Sequence, residues 1–173
     1  MMLTSFRILK VLPGICFLLV FLLFSFSTSA QSKKIEIQIV DNAGIYNNRL
    51  EYHISNDSLI VAGLGDYGRT PVNYLRRSLT SKERKTIGRF MKTFPIDSLD
   101  DLYNNEFNPA QFDNKGYYAR IMEITVSYDK RTHFFRTRNC WVRYSDDLIQ
   151  LINPLLSPEV RIRYEKAQFN VFY

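Results

Sequence analysis

The first thirty residues differ so strongly from the remainder that they limit the folded part of the chain to residues 31–173. Two basic residues precede an almost wholly apolar run over 11–26, and small residues follow it up to Ala30. A positive start, a short apolar middle and a small-residue end are the pattern of a secretory signal peptide. The run is shorter than the roughly 20 residues that a membrane-spanning helix needs. We therefore predict a signal peptide over 1–30, with an uncleaved membrane tether as the alternative.

Cysteine usage bears on how the exported part is held together. Cys140 is the single cysteine after residue 30, so no disulfide can form within the domain. Stability must come from packing, and residues 31–173 keep all 11 tyrosines and the one tryptophan for that purpose. A chain of this length can bury a core without covalent staples. We predict a single domain over 31–173 that is periplasmic or secreted, with no later transmembrane segment.

Period-two alternation of apolar and polar residues, together with a high content of β-branched and aromatic residues, predicts strands. Clusters of Asn, Asp and Ser between such runs predict the turns of hairpins. The predicted strands are 34–41, a hairpin of 50–55 and 59–63, a hairpin over 117–141 that turns at Asp129-Lys130, and a final strand in EVRIRY, 159–164.

Two segments carry apolar residues at helical spacing. In residues 80–94, Thr80 and Glu83 form a capping box, in which each side chain satisfies the other's free N–H. Ser145 is the predicted cap of a second helix, which continues to about Leu155. The combined pattern predicts an α+β fold: a mostly antiparallel curved sheet, built from two hairpins plus edge strands, with two amphipathic helices packed on one face.

Gly63, Gly65 and Gly68 have the G-x-G-x-x-G spacing of a dinucleotide-binding turn. Such a turn must join a parallel strand to a helix, and an acid about twenty residues further on binds the ribose. Here the preceding strand is one arm of a hairpin, although a helix could begin at Pro71. Residue 88 is a glycine rather than an acid. We predict no nucleotide and no cofactor, and we expect the glycines to permit a bend or bulge that requires a positive φ.

Side chains that could bind a metal or act as a nucleophile lack the spacing that such chemistry needs. A calcium loop requires alternating oxygen ligands, a zinc site requires clustered His and Cys, and a thiol nucleophile requires a nearby imidazole. We therefore predict neither a metal site nor a catalytic residue. The side chains considered are Asp97, Asp100 and Asp101 for calcium, and His53, His133 and Cys140 for zinc or thiol chemistry.

Charge is distributed unevenly along the domain. After residue 30 there are 21 Lys and Arg against 17 Asp and Glu, a balance too mild to indicate a nucleic-acid-binding protein. Residues 69–92 contain eight basic residues and one acid, whereas residues 94–114 contain five acids and no base. One interpretation is that the two oppositely charged stretches attract each other and help the fold to close. The other is that the basic stretch binds an acidic partner and the acidic stretch binds a cation.

The basic residues of the first predicted helix fall on one side of it. At 100° per residue they lie within about 80° of arc, opposite the apolar face. Two arginines of the second hairpin, interleaved with aromatic residues, form another basic region. The candidate binding residues are Lys82, Lys85, Arg89, Lys92, Arg136 and Arg138.

These features support two functional hypotheses. The leading one is a non-catalytic envelope protein of a Gram-negative cell, which binds a protein partner or an anionic glycan or lipid head group through the basic residues. The alternative is a small periplasmic hydrolase or enzyme inhibitor that acts through the 100–118 loop, with Glu106 and Asp113 as its acids.

The stretches LTSKERKTIGRFMKTFPIDSLDDLY, DNKGYYARIMEITVSY and DDLIQLINPLLSPEVRIRY carry a resemblance to a known group. They resemble small exported Bacteroidota proteins of unknown function, in which a capped helix precedes an Asp/Gly-containing loop, a hairpin and a second helix. In this chain Asn114 and Lys115 separate the Asp from the Gly of that loop. The resemblance implies export from a bacterial cell, and it implies no activity and no site residue.

We expect the mature protein to begin at Gln31, because Thr28 and Ala30 occupy the two small-residue positions before the cleavage point. The intact mass of the protein purified from its native envelope measures this directly. A full-length mass in the membrane fraction would instead establish the uncleaved tether.

Overall fold

A computed structural model describes residues 33–43, 48–65, 70–105, 120–169 and 171–173. Contacts divide the chain into two units, Met1–Lys33 and Lys34–Tyr173. The second unit has an α+β fold, in which two helices accompany an open, mostly antiparallel sheet. The predictions that fall outside the described residues are the signal peptide, Gly68, Glu106 and Asp113.

The described part of the chain contributes seven strands to one sheet. They are β1 Ile35–Ala43, β2 Asn48–Ser55, β3 Ser58–Gly65, β4 Thr70–Ser78, β5 Leu102–Asn104, β6 Ile121–Tyr128 and β7 Arg131–Arg138. Their order across the sheet is β4-β3-β2-β1-β6-β7-β5, and β5 runs parallel to β7. The other neighbouring strands pair antiparallel.

The alternation in β1, the middle strand of the sheet, matches the burial of one of its faces. Ile37 and Ile39 are fully buried, while Glu36 and Gln38 stay partly exposed on the other face. A strand with one apolar face can accept a neighbour on each side, and β1 pairs with both β2 and β6.

The turns that the sequence predicts lie where β2 meets β3 and where β6 meets β7. The first pair turns at Asn56-Asp57 and the second at Asp129-Lys130. Asp129 adopts a φ of 62°, the left-handed conformation that a two-residue turn between antiparallel strands uses. The consecutive strands β1–β2 and β3–β4 also pair antiparallel, so the sheet contains more such pairs than the sequence predicted.

Two strands were missed and one was wrongly predicted. Residues 70–78 form β4, so the helix considered from Pro71 is wrong: antiparallel pairing with β3 outweighs the weak helical spacing there. The short β5 lies in a stretch interpreted as turn and loop. The predicted strand 159–164 has no ladder partner in the described chain. The side chain of Asn153 instead pairs with the main chain of Ile162. Its amide nitrogen donates to the Ile162 carbonyl and its amide oxygen accepts from the Ile162 N–H, both at 2.9 Å.

The first helix, α1, spans Ser81–Thr93 and confirms the predicted cap. The hydroxyl of Thr80 accepts from the N–H of Glu83 at 3.3 Å, and the Glu83 carboxylate accepts from the N–H of Thr80 at 2.7 Å. Ile87 and Met91 are buried, as the apolar spacing predicts.

The second helix, α2, spans Arg143–Ile152, and the prediction that Ser145 caps it is wrong. Ser145 is buried inside the first turn, and the N-cap position is Val142, whose side chain cannot accept a hydrogen bond. The remote end of the chain supplies the acceptor, because the carbonyl of Tyr173 accepts from the N–H of Arg143 at 3.0 Å. Tertiary structure thus satisfies an N–H that no nearby side chain reaches.

The buried side chains of the sheet and of both helices form one cluster. Two tyrosines of that cluster bond to main chain through their hydroxyls. Tyr52 donates to Val160 at 3.0 Å, while Tyr164 donates to Cys140 at 2.9 Å and accepts from Val142 at 2.8 Å. Burial raises the pKa of Tyr164 to about 12, so this hydroxyl keeps its proton at neutral pH.

A buried ion pair joins β1 to the residue that precedes β6. Arg120 donates to both carboxylate oxygens of Asp41, at 3.1 and 2.6 Å, and also to the carbonyl of Arg163. Asp41 is 6% exposed, so loss of one partner would leave an uncompensated charge inside the protein. Nothing in the sequence pattern connects these residues, because they lie 79 positions apart.

The first two glycines of the motif do not form a dinucleotide-binding turn. Gly63 and Gly65 lie within β3, which pairs antiparallel with β4, and the described residues on either side of 66–69 form strands rather than a helix that could bind a pyrophosphate. The expectation that Gly63 requires a positive φ is also wrong, since its φ is not in the left-handed region. Glycine is needed there for space. An added Cβ would lie 2.7 Å from the carbonyl oxygen of Arg49, beside a register shift at Val61/Ala62.

We expect Gly63→Ala to destabilise the protein by about 1–3 kcal/mol, because the added methyl would overlap main chain. Gly88→Ala is the matched control. Its Cβ would lie 3.7 Å from the Cδ1 of Ile35, an ordinary contact, and alanine favours a helix interior by about 1 kcal/mol. Urea unfolding of both variants measures the difference. Equal effects of the two substitutions would contradict this account of Gly63.

Candidate functional site

The exposed side of α1 carries a line of positive charge, which we call the basic ridge: Lys82, Lys85, Arg89 and Lys92. All four side chains are exposed. The buried residues Ile87 and Met91 hold the opposite side of the helix in the core. The structure therefore brings together the four residues that helical spacing predicts to share one side.

Two ion pairs fix α1 to the sheet. Arg77 of β4 donates to both oxygens of Glu83, at 2.8 and 3.1 Å. Arg84 donates to Asp57, in the turn between β2 and β3, at 2.9 Å. Arg77 also reaches the carbonyl of Leu155 at 3.2 Å. The basic ridge consequently stands on a helix whose first turn is tied to two neighbouring elements.

The basic ridge differs from many of the other basic side chains, although not from Arg138, in having no acidic partner among the described residues. Within the described residues, none of its four side chains makes an ion pair or a hydrogen bond. The arginines that have carboxylate partners are Arg49, Arg77, Arg84, Arg120, Arg131 and Arg136.

Two acids that follow α1, Asp97 and Asp101, lie beside β7. Asp97 accepts from Arg131 at 3.0 Å, and Asp101 lies 3.4 Å from His133. These pairs favour the interpretation in which opposite charges close the fold. Asp97 and Asp101 therefore contact β7 rather than the basic ridge.

The two hairpin arginines do not extend the basic ridge. Both point to the face of the sheet opposite Phe135, the β7 residue that enters the core with Ile87 of α1. Arg136 donates to Glu123 at 2.6 and 3.1 Å, whereas the exposed Arg138 has no described carboxylate partner. The structure thus separates the six predicted binding residues into a ridge and a sheet-face pair.

The side chains considered for metal and thiol chemistry lie apart or are buried. His53 is 3.2 Å from Glu36 on one face of the sheet, while His133 is on the other face beside Asp101. Cys140 is 1% exposed and donates to the carbonyl of Tyr103 at 3.3 Å. Burial raises the pKa of the Cys140 thiol, which makes it a poor nucleophile.

No metal-binding cluster and no helix long and apolar enough to cross a membrane is found in the described ranges. The acids Glu106 and Asp113, on which the hydrolase hypothesis depends, lie outside those ranges.

Comparison with known proteins supplies no relative. The chain matches no protein-family model, no curated protein and no solved structure. The resemblance to exported Bacteroidota proteins therefore stays a prediction.

The interaction that holds α1 in place has a pH dependence. Hydrogen bonding from Arg77, with further hydrogen bonds from Thr80, lowers the pKa of Glu83 from 4.5 to about 2. A lowered pKa in the folded state adds stability that is present above pH 4.5 and is lost as the pH falls towards 2.

We expect Glu83→Gln to lower the free energy of unfolding by about 1–2 kcal/mol at pH 7, since it weakens both the cap and the ion pair. The difference from the unmodified protein should shrink between pH 4.5 and pH 2. Urea unfolding at several pH values measures it. Glu51→Gln, which removes an exposed pair with Arg49, is the control and should have little effect. If Glu83→Gln lowered the free energy of unfolding by the same amount at every pH, the stabilising role given to the Glu83 carboxylate would be contradicted.

Proposed function

We propose that this chain is an exported, non-catalytic envelope protein that uses the basic ridge to bind an anionic surface. The observation that carries the proposal is the lack of any described acidic partner for four exposed cations on one side of an anchored helix. Export is supported by the residue pattern of 1–30.

The chemistry of the basic ridge favours an anionic surface over a protein partner. Protein interfaces draw most of their binding energy from a few buried aromatic and apolar side chains. The exposed side of α1 has none, because its exposed residues are all charged or hydroxyl-bearing. Attraction between a row of cations and phosphate or carboxylate groups needs no such apolar centre and adds about 1 kcal/mol for each Lys or Arg at a lipid surface.

We further propose that both helices cover the same face of the sheet. Ile87 of α1, Leu148 of α2 and Phe135 of β7 belong to one buried cluster, which supports that arrangement. The basic ridge would then be the outermost part of the covered face. Arg136 and Arg138 would lie on the uncovered face and would not contribute to the same contact.

The test is charge reversal of the complete basic ridge, Lys82→Glu, Lys85→Glu, Arg89→Glu and Lys92→Glu. We expect binding to vesicles of phosphatidylglycerol and phosphatidylcholine to weaken by at least tenfold, because each replacement turns an attraction into a repulsion. Binding of the unmodified protein should also weaken as salt rises. A second arm, with polygalacturonate in place of vesicles, distinguishes a glycan carboxylate from a lipid phosphate as the ligand.

The matched control reverses four exposed cations elsewhere, Arg76, Lys130, Arg161 and Arg163, and so changes the net charge equally. We expect this variant to bind much more tightly than the ridge variant. Equal losses in both variants would show attraction by net charge alone. If the ridge variant bound both the vesicles and polygalacturonate as tightly as the unmodified protein, the basic ridge would not be the binding site.

A further inference from the structure

The exposed apolar side chains of the described residues are concentrated at one edge of the sheet. Five large ones are exposed, and three of them lie in or beside β5: Leu102 at 56%, Phe134 at 47% and Tyr173 at 52%. Tyr173 is held there, because its hydroxyl donates to the carbonyl of Asn104 at 2.9 Å and its ring lies 5.6 Å from that of Tyr103. Apolar side chains gathered in this way mark an interaction surface.

These side chains lie on both sides of the edge strand. Leu102 is paired with Arg136 in the ladder, so it shares a face with Phe134, which precedes Arg136 by two positions. Tyr103 points the other way, into the core, and Tyr173 packs against it. A strand added beside β5 could therefore place alternate side chains against apolar groups on either face.

The main chain of β5 also has N–H and C=O groups that could form hydrogen bonds with such a strand. The carbonyl of Asp101 accepts from Arg136 at 2.9 Å, and the N–H of Asn105 donates to Arg138 at 3.1 Å. Because a parallel ladder uses alternate residues, Leu102 and Asn104 direct their N–H and C=O groups away from β7. The Tyr173 hydroxyl donates to the carbonyl of Asn104, and the described residues supply no partner for the N–H and C=O of Leu102 or for the N–H of Asn104.

The opposite edge of the sheet is protected in ways that β5 is not. β4 contains Pro71 near its start and has a register shift opposite Val61/Ala62. It also carries Arg76 as an exposed charge. Proline, bulges and charge are the usual means by which an edge strand avoids pairing with another chain. None of the three residues of β5 is proline or charged.

We propose that the edge of β5 binds an extended segment of a partner protein by strand addition. The segment would carry apolar residues on both faces and an acidic residue beside Arg138. Charge complementarity supports this occupant: Arg138 is exposed without a described carboxylate partner, on the face of the sheet that also carries Leu102 and Phe134. This surface is separate from the basic ridge.

Synthetic nine-residue peptides, acetylated and amidated, test the proposal. The first peptide places valine and threonine on both faces around one central glutamate, the second has lysine in place of that glutamate, and the third has proline at every second position of the first. We expect the glutamate peptide to bind at least tenfold more tightly than the other two in calorimetry, since it alone combines an extended strand, apolar residues on both faces and a negative charge. Equal or undetectable binding of all three would overturn the proposal.

Leu102→Pro identifies the surface. It removes the edge N–H but leaves the bonds between β5 and β7, so we expect peptide binding to be lost while circular dichroism stays unchanged. Tyr74→Ala, at the opposite edge, is the control and should bind normally. If Leu102→Pro fails to fold, the double variant Leu102→Ser and Phe134→Ser should still weaken binding at least fivefold. Full binding by the folded proline variant, or by the serine variant, would overturn the proposal.

Two further results separate the possible occupants and sites. Charge reversal of the basic ridge should leave peptide binding unchanged, so failure of one proposal does not entail failure of the other. Sedimentation could show that the unmodified protein is a dimer and that Leu102→Pro converts it to a monomer. The edge of β5 would then bind a second copy of this chain rather than a partner segment, which would contradict the proposal.

Discussion

The carboxylate of Glu83 connects the parts of this fold on which the basic ridge depends. It caps the first turn of α1, and it also accepts two hydrogen bonds from Arg77 of β4. Arg77 in turn reaches Leu155, just beyond α2. One side chain thus links helix initiation, the edge of the sheet and the second helical region. Since Glu83 is the one acid among the eight bases of residues 69–92, its position leaves the exposed side of α1 uniformly positive.

The distribution of ion pairs decides which charges are available for binding. Acids that follow α1 in the sequence contact Arg131 and His133, and Glu123 contacts Arg136. These contacts involve residues far from one another in the chain. They pair Arg131, His133 and Arg136 of the hairpin, but not Arg138, and they leave the ridge cations without a described partner. An exposed charge of this kind contributes little to stability, which is consistent with a role in binding.

The two edges of the sheet present a second contrast. β4 is long and protected, whereas β5 is short and carries apolar neighbours on both faces. Because the ridge is polar and the β5 edge is apolar, the two surfaces suit different ligands. An anionic envelope surface and an extended protein segment could be bound by one molecule at the same time, through groups that do not overlap.

Local signals in the sequence predicted much of the fold. The capping box at Thr80 and Glu83, the alternation of β1 and the turns at Asn56 and Asp129 all depend on residues a few positions apart, and the structure confirms them. Each relies on short-range hydrogen bonding or on the period of a single element. The four residues of the basic ridge follow from the same period.

The failures share a physical cause, because each depends on pairing or packing between elements rather than on the period of a single element. β4 follows from pairing with β3, and α2 begins before Ser145 because Tyr173 supplies its acceptor. The Asp41–Arg120 pair and the apolar edge at β5 likewise join remote residues. The sequence alone therefore determined the periodic elements, their turns and the side of α1 that is basic. Tertiary structure decided strand order and, among the described residues, which cations lack partners and where main chain stays unpaired, since these depend on contacts that periodicity does not encode.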